Sequence, residues 1–350
     1  MNESISIDKN ERIFITGASG FIGTTLVRQL LADGYKVRGM SRKTPTLPLG
    51  YENRGAELWE HPNFEYAAGD VTDSESVLRG MDGCSYVIHL AGYAKNFAFD
   101  PTTFKRINCG GMLHVFQAAK KLGVKKVVWT SSVVALGPTA PGVVADESTP
   151  RTTDKYLTEY EESKALAEKE ARQWTDDGFP AVAVNPTRVY GPGQLSEGNA
   201  LGTLIDDYMR GRFPFLINFG KNIGNYGLVD DVAHGHFLAL LRGRPGERYL
   251  LGGENVSLEE FFKTIDRVTG ERHFMLKIWK FFPMQVARFM KLRAQLTKTY
   301  PRITPGWIRT FTAEWNHSCD KAVRELGYKI TPLAEGLEKT CSWLKEHGKS

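Results

Sequence analysis

Tyr160 and Lys164 are the two residues whose types and spacing point most directly to chemistry. They lie four positions apart in the segment Glu159-Tyr-Glu-Glu-Ser-Lys, which is rich in good helix formers, so both side chains should share one helix face. A tyrosine with a pKa of roughly 10 is a poor acid near neutrality unless a nearby cation stabilises its phenolate. Lys164 can supply that cation, so the pair predicts proton transfer. The alternative is a surface helix with a solvated lysine.

A glycine-rich turn near the start of the chain predicts a dinucleotide site. Arg12 to Thr16 is an apolar run typical of a strand, and apolar residues then recur at helical spacing from Leu26 to Leu31. Glycines between a strand and a helix let backbone N–H groups approach a pyrophosphate, and the helix N-terminus adds partial positive charge. The residues expected to form this cradle are Gly17, Ser19, Gly20, Phe21, Ile22 and Gly23.

A basic turn after the next strand indicates which dinucleotide is bound. The strand from Lys36 to Met40 leads into Ser41-Arg42-Lys43, where a carboxylate would usually meet the ribose 2′-hydroxyl of NAD(H). No acidic residue occurs there, and Arg42 and Lys43 can pair with a 2′-phosphate. We therefore predict a preference for NADP(H) over NAD(H). The alternative is a solvated basic turn.

The first half of the chain alternates strand and helix patterns. Apolar runs at 64–68, 85–90 and 126–130 are each followed by a polar or glycine-bearing loop and then a helical pattern. This alternation predicts an α/β fold with a doubly wound parallel sheet, which binds ligands at the carboxyl ends of its strands. Asp70 lies at one such end and can accept from an adenine amine. At another end, Leu90-Ala91-Gly92 offers small residues that can pass beneath a cofactor.

Composition argues against several other classes of protein. The chain has 350 residues, 41% of them hydrophobic and 24% charged, which is enough for one large or two modest domains. A net charge of +5 is too small to argue for nucleic acid. We find no secretory signal and no membrane-spanning segment. Four cysteines without metal-ligand spacing predict reduced thiols, no metal site and a cytoplasmic location: Cys84, Cys109, Cys319 and Cys341.

Several motifs together resemble the short-chain dehydrogenase/reductase family in its extended form. They are T-G-A-S-G-F-I-G at 16–23, G-D-V-T-D at 69–73, T-S-S-V-V-A-L-G at 130–137, Y-E-E-S-K at 160–164 and N-P-T-R-V-Y-G-P at 185–192. They occur in the family's order and approximate spacing, and the resemblance covers nearly the whole chain. It implies a Rossmann-type parallel sheet with a smaller, mostly helical C-terminal substrate domain.

We expect the two domains to be interleaved. The dinucleotide-binding domain should take residues 11–185 plus 226–252, with a strand and turn at Val229-Asp230-Asp231. The substrate domain should take residues 186–225 plus 256–345. The family resemblance also implies a homodimer through the Tyr160 helix and its neighbour at Met112–Leu122.

The resemblance further implies a role for each matched position. Ser132 would hydrogen-bond the substrate carbonyl, and Tyr160 would donate its proton to that oxygen. Lys164 would lower the tyrosine pKa and hold the nicotinamide ribose, and Asn108 would support a proton relay. Ser131 is a competitor for the role given to Ser132. The other cofactor-binding positions that the match implies are Val71, Leu90, Ala91, Gly92, Thr130, Pro186, Thr187 and Val189.

The residue before the V-Y-G-P stretch narrows the activity. Nucleotide-sugar enzymes of the family commonly have asparagine there, whereas this chain has Arg188, which is similar to dihydroflavonol 4-reductases and 3β-hydroxysteroid dehydrogenase-like proteins. We therefore expect an NADP(H)-dependent oxidoreductase that interconverts a ketone and a secondary alcohol on a hydrophobic molecule of flavonoid, steroid, terpenoid or β-ketoacyl type. The alternatives are a nucleotide-sugar epimerase or dehydratase with bound NAD, and a non-catalytic NADP(H)-binding scaffold or redox sensor.

A basic and aromatic segment occupies residues 272–313. It contains no acidic residue, and its lysines and arginines alternate with tryptophan and phenylalanine. Such a stretch can dock on an anionic membrane surface, receive an acidic carrier protein or bind an anionic substrate tail. The interpretation that the sequence favours is a pair of substrate-domain helices whose apolar face packs as a lid and whose lysines are solvated.

Overall fold

The centre of the structure is a seven-stranded sheet whose strands are all parallel. The computed structural model describes residues 7–42 and 56–347. Its strands are β1 (Arg12–Thr16), β2 (Lys36–Ser41), β3 (Phe64–Ala68), β4 (Tyr86–His89), β5 (Lys126–Thr130), β6 (Ala181–Pro186), β7 (Arg188–Tyr190), β8 (Phe215–Ile217), β9 (Ile223–Leu228), β10 (Arg248–Leu251), β11 (Glu254–Ser257) and β12 (Leu276–Ile278). The large sheet has the order β10-β6-β5-β4-β1-β2-β3.

Helices cover both faces of this sheet. They are α1 (Phe21–Ala32), α2 (Ala56–Trp59), α3 (Ser74–Met81), α4 (Thr102–Lys105), α5 (Gly111–Leu122), α6 (Glu159–Asp176), α7 (Ala200–Met209), α8 (Val229–Arg242), α9 (Leu258–Thr269), α10 (Phe281–Thr297), α11 (Pro305–Phe311), α12 (Asp320–Leu326) and α13 (Leu333–His347). Ile13 and Ile15 of β1 pack in the layer with α1 and α8, whereas Phe14 packs in the layer with α3 and α5. This alternation follows from the two-residue period of a strand, and the predicted doubly wound α/β fold is confirmed.

The strand order reverses next to β1. β1 pairs with β2 on one side and with β4 on the other, so the connections leave the sheet in opposite directions at this point. Parallel sheets of this kind open a crevice between the carboxyl ends of those two strands, where ligands bind. The loops that follow β1, β4, β5 and β6 therefore hold the candidate site.

A smaller region, rich in helices, lies beyond β6. A three-stranded sheet joins β9 in parallel to β7 and antiparallel to β11, and a two-stranded parallel sheet joins β8 to β12. An aromatic cluster with buried Tyr190, Tyr226 and Phe261 holds these strands against α7, α9 and α13. Among the described residues, no helix combines the length and the apolar character needed to cross a bilayer.

The strand and turn expected at Val229-Asp230-Asp231 are wrong. Val229 is the first residue of α8, and the strand that precedes it ends at Leu228. The physical reason lies in Asp230 and Asp231, because carboxylates in the first turn of a helix are stabilised by the helix dipole. Asp231 also accepts hydrogen bonds from the backbone N–H and the hydroxyl of Thr331, at 2.7 and 2.9 Å.

Candidate active site

A cavity of about 260 Å³ opens at the carboxyl ends of β1, β2 and β4, and we call it the strand-end cavity. Nine of the predicted cofactor positions line it. They are Gly17, Ser19, Gly20, Arg42, Asp70, Val71, Leu90, Ala91 and Gly92. Met40, Ser41, Gly69, Tyr93 and Ile107 complete the wall, and the sequence did not single them out. The glycine turn and the ends of three strands therefore share one cavity.

Gly17 is fixed in a conformation that only glycine adopts at low cost. Its φ is +72°, and a Cβ atom at this position would lie 2.8 Å from the Ala91 backbone nitrogen. The hydroxyl of Thr16 accepts from the Ala91 N–H at 3.2 Å, which fixes the end of β4 against the glycine turn. The turn and the Ala91 backbone are thus packed against each other without room for a side chain.

The start of α1 is suited to an anionic group. Gly20 occupies the N-cap position without a side chain to accept from the first helical N–H groups, and the first turn of α1 has no acidic residue. These N–H groups and the helix dipole are therefore left to a ligand such as a pyrophosphate. Together with the missing side chain at Gly17, this fits a bound dinucleotide.

Arg42 and Asp70 stand on opposite strand ends around the same cavity. The Asp70 carboxylate is engaged locally, because its Oδ1 accepts from the Thr72 N–H and hydroxyl, both at 2.8 Å. Arg42 is exposed at the end of β2. Lys43, the second residue predicted to meet a 2′-phosphate, lies outside the described residues.

The start of α6 places Tyr160 and Lys164. The Thr158 hydroxyl accepts from the Glu161 N–H, and the Glu161 carboxylate accepts from the Leu157 N–H, each at 3.0 Å. This reciprocal pair is a capping box, so the register of the helix is set two residues before Tyr160. The i, i+4 spacing then directs Tyr160 and Lys164 toward the strand ends.

Lys164 is a buried cation directed at the end of β5. Its Nζ donates to the Thr130 carbonyl at 2.7 Å, and burial lowers the pKa of Lys164 to about 8, although the charge of Glu168 opposes that shift. Burial and the charge of Lys164 lower the pKa of His89 to about 3, so this imidazole is neutral. Neutral His89 bonds the Thr16 hydroxyl at 2.6 Å beneath the glycine turn.

Tyr160 lies in a second cavity of about 190 Å³, which we call the tyrosine cavity. Its wall comprises Ser132, Val133, Val134, Tyr160, Thr187, Arg188, Asn225, Thr310 and Trp315. Burial raises the pKa of Tyr160, and a hydrogen bond with Ser132 acts in the opposite direction. The lowered tyrosine pKa that the family resemblance implies is thus absent here, and the phenol is protonated at neutral pH.

The two neighbouring serines after β5 face different surroundings. Ser132 lines the tyrosine cavity beside Tyr160. The Ser131 hydroxyl instead donates to Glu168 Oε1 at 2.6 Å, and Glu168 also accepts from Asn185 at 2.5 Å and from Arg248 at 2.9 Å. Ser131 therefore belongs to a polar network between β5, β6 and α6.

Asn108 links the two cavities. It lies in a π-helical turn (Arg106–Gly110), a local widening of the helix that is frequent at functional sites. Its amide donates to the Ser163 hydroxyl at 2.8 Å and accepts from the Tyr93 N–H at 2.7 Å. A Cβ at Gly92 would lie 3.2 Å from Asn108 Oδ1 and 3.5 Å from Lys164 Nζ. The strand-end cavity therefore reaches both polar side chains.

Several predicted cofactor positions line neither cavity. Gly23 packs α1 on the glycine turn, because a Cβ there would meet the Gly17 carbonyl at 2.1 Å. The others are Phe21, Ile22, Thr130, Pro186 and Val189. The sequence analysis missed Asn225, Thr310 and Trp315, which arrive from distant segments, and it used Arg188 only to distinguish subfamilies. A larger cavity, of about 560 Å³, is lined by charged residues such as Glu168 and Arg248 and contains none of the predicted catalytic residues.

The chain is similar to known proteins over most of its length. Residues 13–252 match the model of the NAD dependent epimerase/dehydratase family. A Synechocystis protein named "Putative dihydroflavonol 4-reductase" is 31% identical over 340 residues, which cover 96% of this chain and 95% of that protein. Mouse sterol-4-alpha-carboxylate 3-dehydrogenase, decarboxylating, is 26% identical over 349 residues, with 95% and 91% covered. The crystal structure of UDP-glucose 4-epimerase from Thermotoga maritima has a TM-score of 0.76 at 22% identity, covering 96% of this chain and 99% of that one, and shows the shared fold.

Proposed function

Because the chain belongs to the NAD dependent epimerase/dehydratase family, we propose that it interconverts a ketone and a secondary alcohol on a hydrophobic small molecule, using NADP(H). The observation that carries this proposal is the placement of Ser132 and Tyr160 in a small cavity next to the strand-end cavity. Lys164 and Asn108 lie at Gly92, on the wall of the second of these. A donor pair for a carbonyl oxygen thus stands beside a dinucleotide cradle.

Each catalytic side chain has a distinct task in this proposal. Bound NADP(H) supplies or accepts the hydride. Tyr160, protonated at neutral pH, donates its proton to the substrate oxygen, and the Ser132 hydroxyl donates a second hydrogen bond to the same atom. Lys164 keeps a positive charge near the developing phenolate and replaces part of its hydration. Asn108 and Ser163 form a hydrogen-bonded path along which a proton returns to the tyrosine.

The preference for NADP(H) rests on Arg42. This residue lines the strand-end cavity, and β2 ends there without a carboxylate that would meet a ribose 2′-hydroxyl. A guanidinium forms charge-assisted, often bidentate hydrogen bonds with a phosphate. A 2′-phosphate is therefore favoured over a free hydroxyl at this corner.

The walls of the tyrosine cavity support a hydrophobic substrate with an acidic group. Val133, Val134 and Trp315 provide apolar surface. The Arg188 guanidinium donates to the Tyr226 hydroxyl and to the Thr310 carbonyl, both at 3.3 Å, and no carboxylate among residues 7–42 and 56–347 forms an ion pair with it. Its remaining N–H groups suit a carboxylate on the substrate, and the mouse relative is named for a sterol carboxylate.

The test is a titration of the purified protein with NADPH and with NADH, repeated for Arg42→Ala. Loss of one charge-assisted pair should weaken NADPH binding about 10- to 100-fold, since such bonds contribute about 1.5–3 kcal/mol, and should leave NADH binding unchanged. Arg324→Ala, an exposed arginine on α12, is the matched control. Equal affinity for both dinucleotides, unaffected by Arg42→Ala, would contradict the NADP(H) preference.

Turnover then separates the oxidoreductase from the alternatives. Hydrophobic ketones should be reduced with net consumption of NADPH, and Tyr160→Phe should lower kcat by about 10²-fold or more without weakening NADPH binding. Turnover of a nucleotide sugar without net cofactor consumption would instead favour the epimerase. Cofactor binding without turnover of either substrate class would favour the scaffold.

A further inference from the structure

The helix α10 presents its large apolar side chains to solvent. The side chains that α10 buries are small ones or proline, namely Pro283, Ala287 and Ala294. Phe282, Phe289, Leu292 and Leu296 follow one another at 7, 3 and 4 residues and so share the opposite face. Phe289 is 66% exposed and Leu296 is 77% exposed. The expectation that an apolar face of this segment packs as a lid is therefore wrong for α10.

Positive charge surrounds this apolar face. At 100° per residue, Arg288 and Arg293 fall on its two sides, and Lys280 and Lys298 lie at the two ends of α10. None of these four cations has an ion-pair partner within the part of the chain that the structure describes. Residues 272–313 contain no acidic residue, although the whole chain has 40. We call the four apolar residues and these four cations the α10 face.

We propose that the α10 face docks on an anionic lipid membrane, with its apolar side chains in the headgroup region and its cations on lipid phosphates. Charge complementarity selects the sign of the surface. Shape favours lipid over a folded protein partner, because the face is a convex helix of 17 residues, about 25 Å long, with exposed side chains and no groove around them. Trp279, which is 65% exposed, extends it beyond the start of α10.

The α10 face also adjoins the proposed substrate site. After α10, the Tyr300 hydroxyl meets the Tyr93 hydroxyl at 3.1 Å, and Arg309 donates to the Leu157 carbonyl at 3.0 Å. Thr310 then lines the tyrosine cavity. If the proposed function holds, docking would place this cavity near a bilayer in which hydrophobic ketones dissolve. The docking proposal itself does not depend on turnover.

The test measures binding of the full chain to sedimented vesicles. Vesicles of phosphatidylcholine with phosphatidylglycerol should bind the protein at low ionic strength, vesicles of phosphatidylcholine alone should bind it much more weakly, and added salt should reduce binding. Arg288→Gln with Arg293→Gln should weaken binding about 30-fold, since each cation near the surface contributes about 1 kcal/mol. Phe289→Ser with Leu296→Ser should weaken it at least about tenfold.

Matched controls change the same chemistry elsewhere on the surface. Lys169→Gln with Lys329→Gln removes two exposed cations outside the α10 face, and Val144→Ser with Val323→Ser removes two exposed apolar side chains. Both controls should bind vesicles like the unchanged protein, and all variants should unfold at the same temperature because the altered side chains are exposed. No binding to anionic vesicles, or equal losses in test and control variants, would overturn the proposal. So would an oligomer that Phe289→Ser with Leu296→Ser dissociates while vesicle binding is absent.

Discussion

Substitution of Gly17 by alanine tests whether the contact between the glycine turn and Ala91 holds the cradle in shape. Gly123 provides a control with the same backbone strain, because its φ is +67° and a Cβ there would meet nothing within 4 Å, whereas φ at Gly17 is +72°. A residue with a Cβ costs about 1–2 kcal/mol in this left-handed region, and both variants incur that cost. Only Gly17→Ala adds a Cβ at 2.8 Å from the Ala91 nitrogen, which forces the two backbones apart.

The contact at Ala91 sets the difference between the two variants. Overpacking of this kind typically costs about 1–3 kcal/mol, so Gly17→Ala should lower the free energy of unfolding by that much more than Gly123→Ala. Displacing the turn also moves the N–H groups at the start of α1, so NADPH should bind at least about tenfold more weakly to Gly17→Ala alone. Urea denaturation and an NADPH titration measure the two effects. Equal destabilisation of both variants, or unchanged NADPH affinity in Gly17→Ala, would refute the reasoning.

Three further predictions concern the tyrosine cavity. The kcat for ketone reduction should fall as the pH rises through about 8, because burial lowers the Lys164 pKa from 10.5 to about 8 and the cation is lost above it; a pH profile of Lys164→Arg, which stays charged, should lack that fall. Ser131→Ala should lower the free energy of unfolding by about 1–3 kcal/mol, because Glu168 loses a buried donor, whereas Ser132→Ala should lower kcat about 10²–10³-fold; thermal unfolding and steady-state kinetics of both variants would reveal a reversed pattern. Arg188→Gln should raise KM about 10- to 100-fold for ketones that carry a carboxylate and leave neutral ketones nearly unchanged, and a uniform rise for both would contradict a charge contact.

The large sheet and the glycine turn were predictable because their signals are local. A strand followed by glycines and a helix has few other uses, and the carboxyl ends of parallel strands meet at one edge whatever the rest of the chain does. The prediction failed at Val229, where an apolar residue before two aspartates begins a helix. An apolar run this short fits a strand or a helix equally well, and the helix dipole decides between them.

The segment 272–313 shows a second limit of sequence reasoning. Its alternating apolar and basic residues predicted an amphipathic helix, and α10 is one. Which face would meet the protein depended on the partner surface, and in the structure the small side chains of Ala287 and Ala294 pack there while Phe289 and Leu296 do not. Residue pattern gives the period of a helix, but only packing against other elements gives its orientation.

The sequence by itself determined the parts of this protein that depend on neighbouring residues. Gly17 with its positive φ, the capped start of α6 and the one-face spacing of Tyr160 and Lys164 follow from backbone sterics, local hydrogen bonds and the 3.6-residue period of a helix. The tertiary structure alone decided which serine faces Tyr160 and that Arg188 lines the same cavity, because those choices depend on side chains far away in the chain. Glu168 holds Ser131, and that contact exists only after β5 and α6 have packed together.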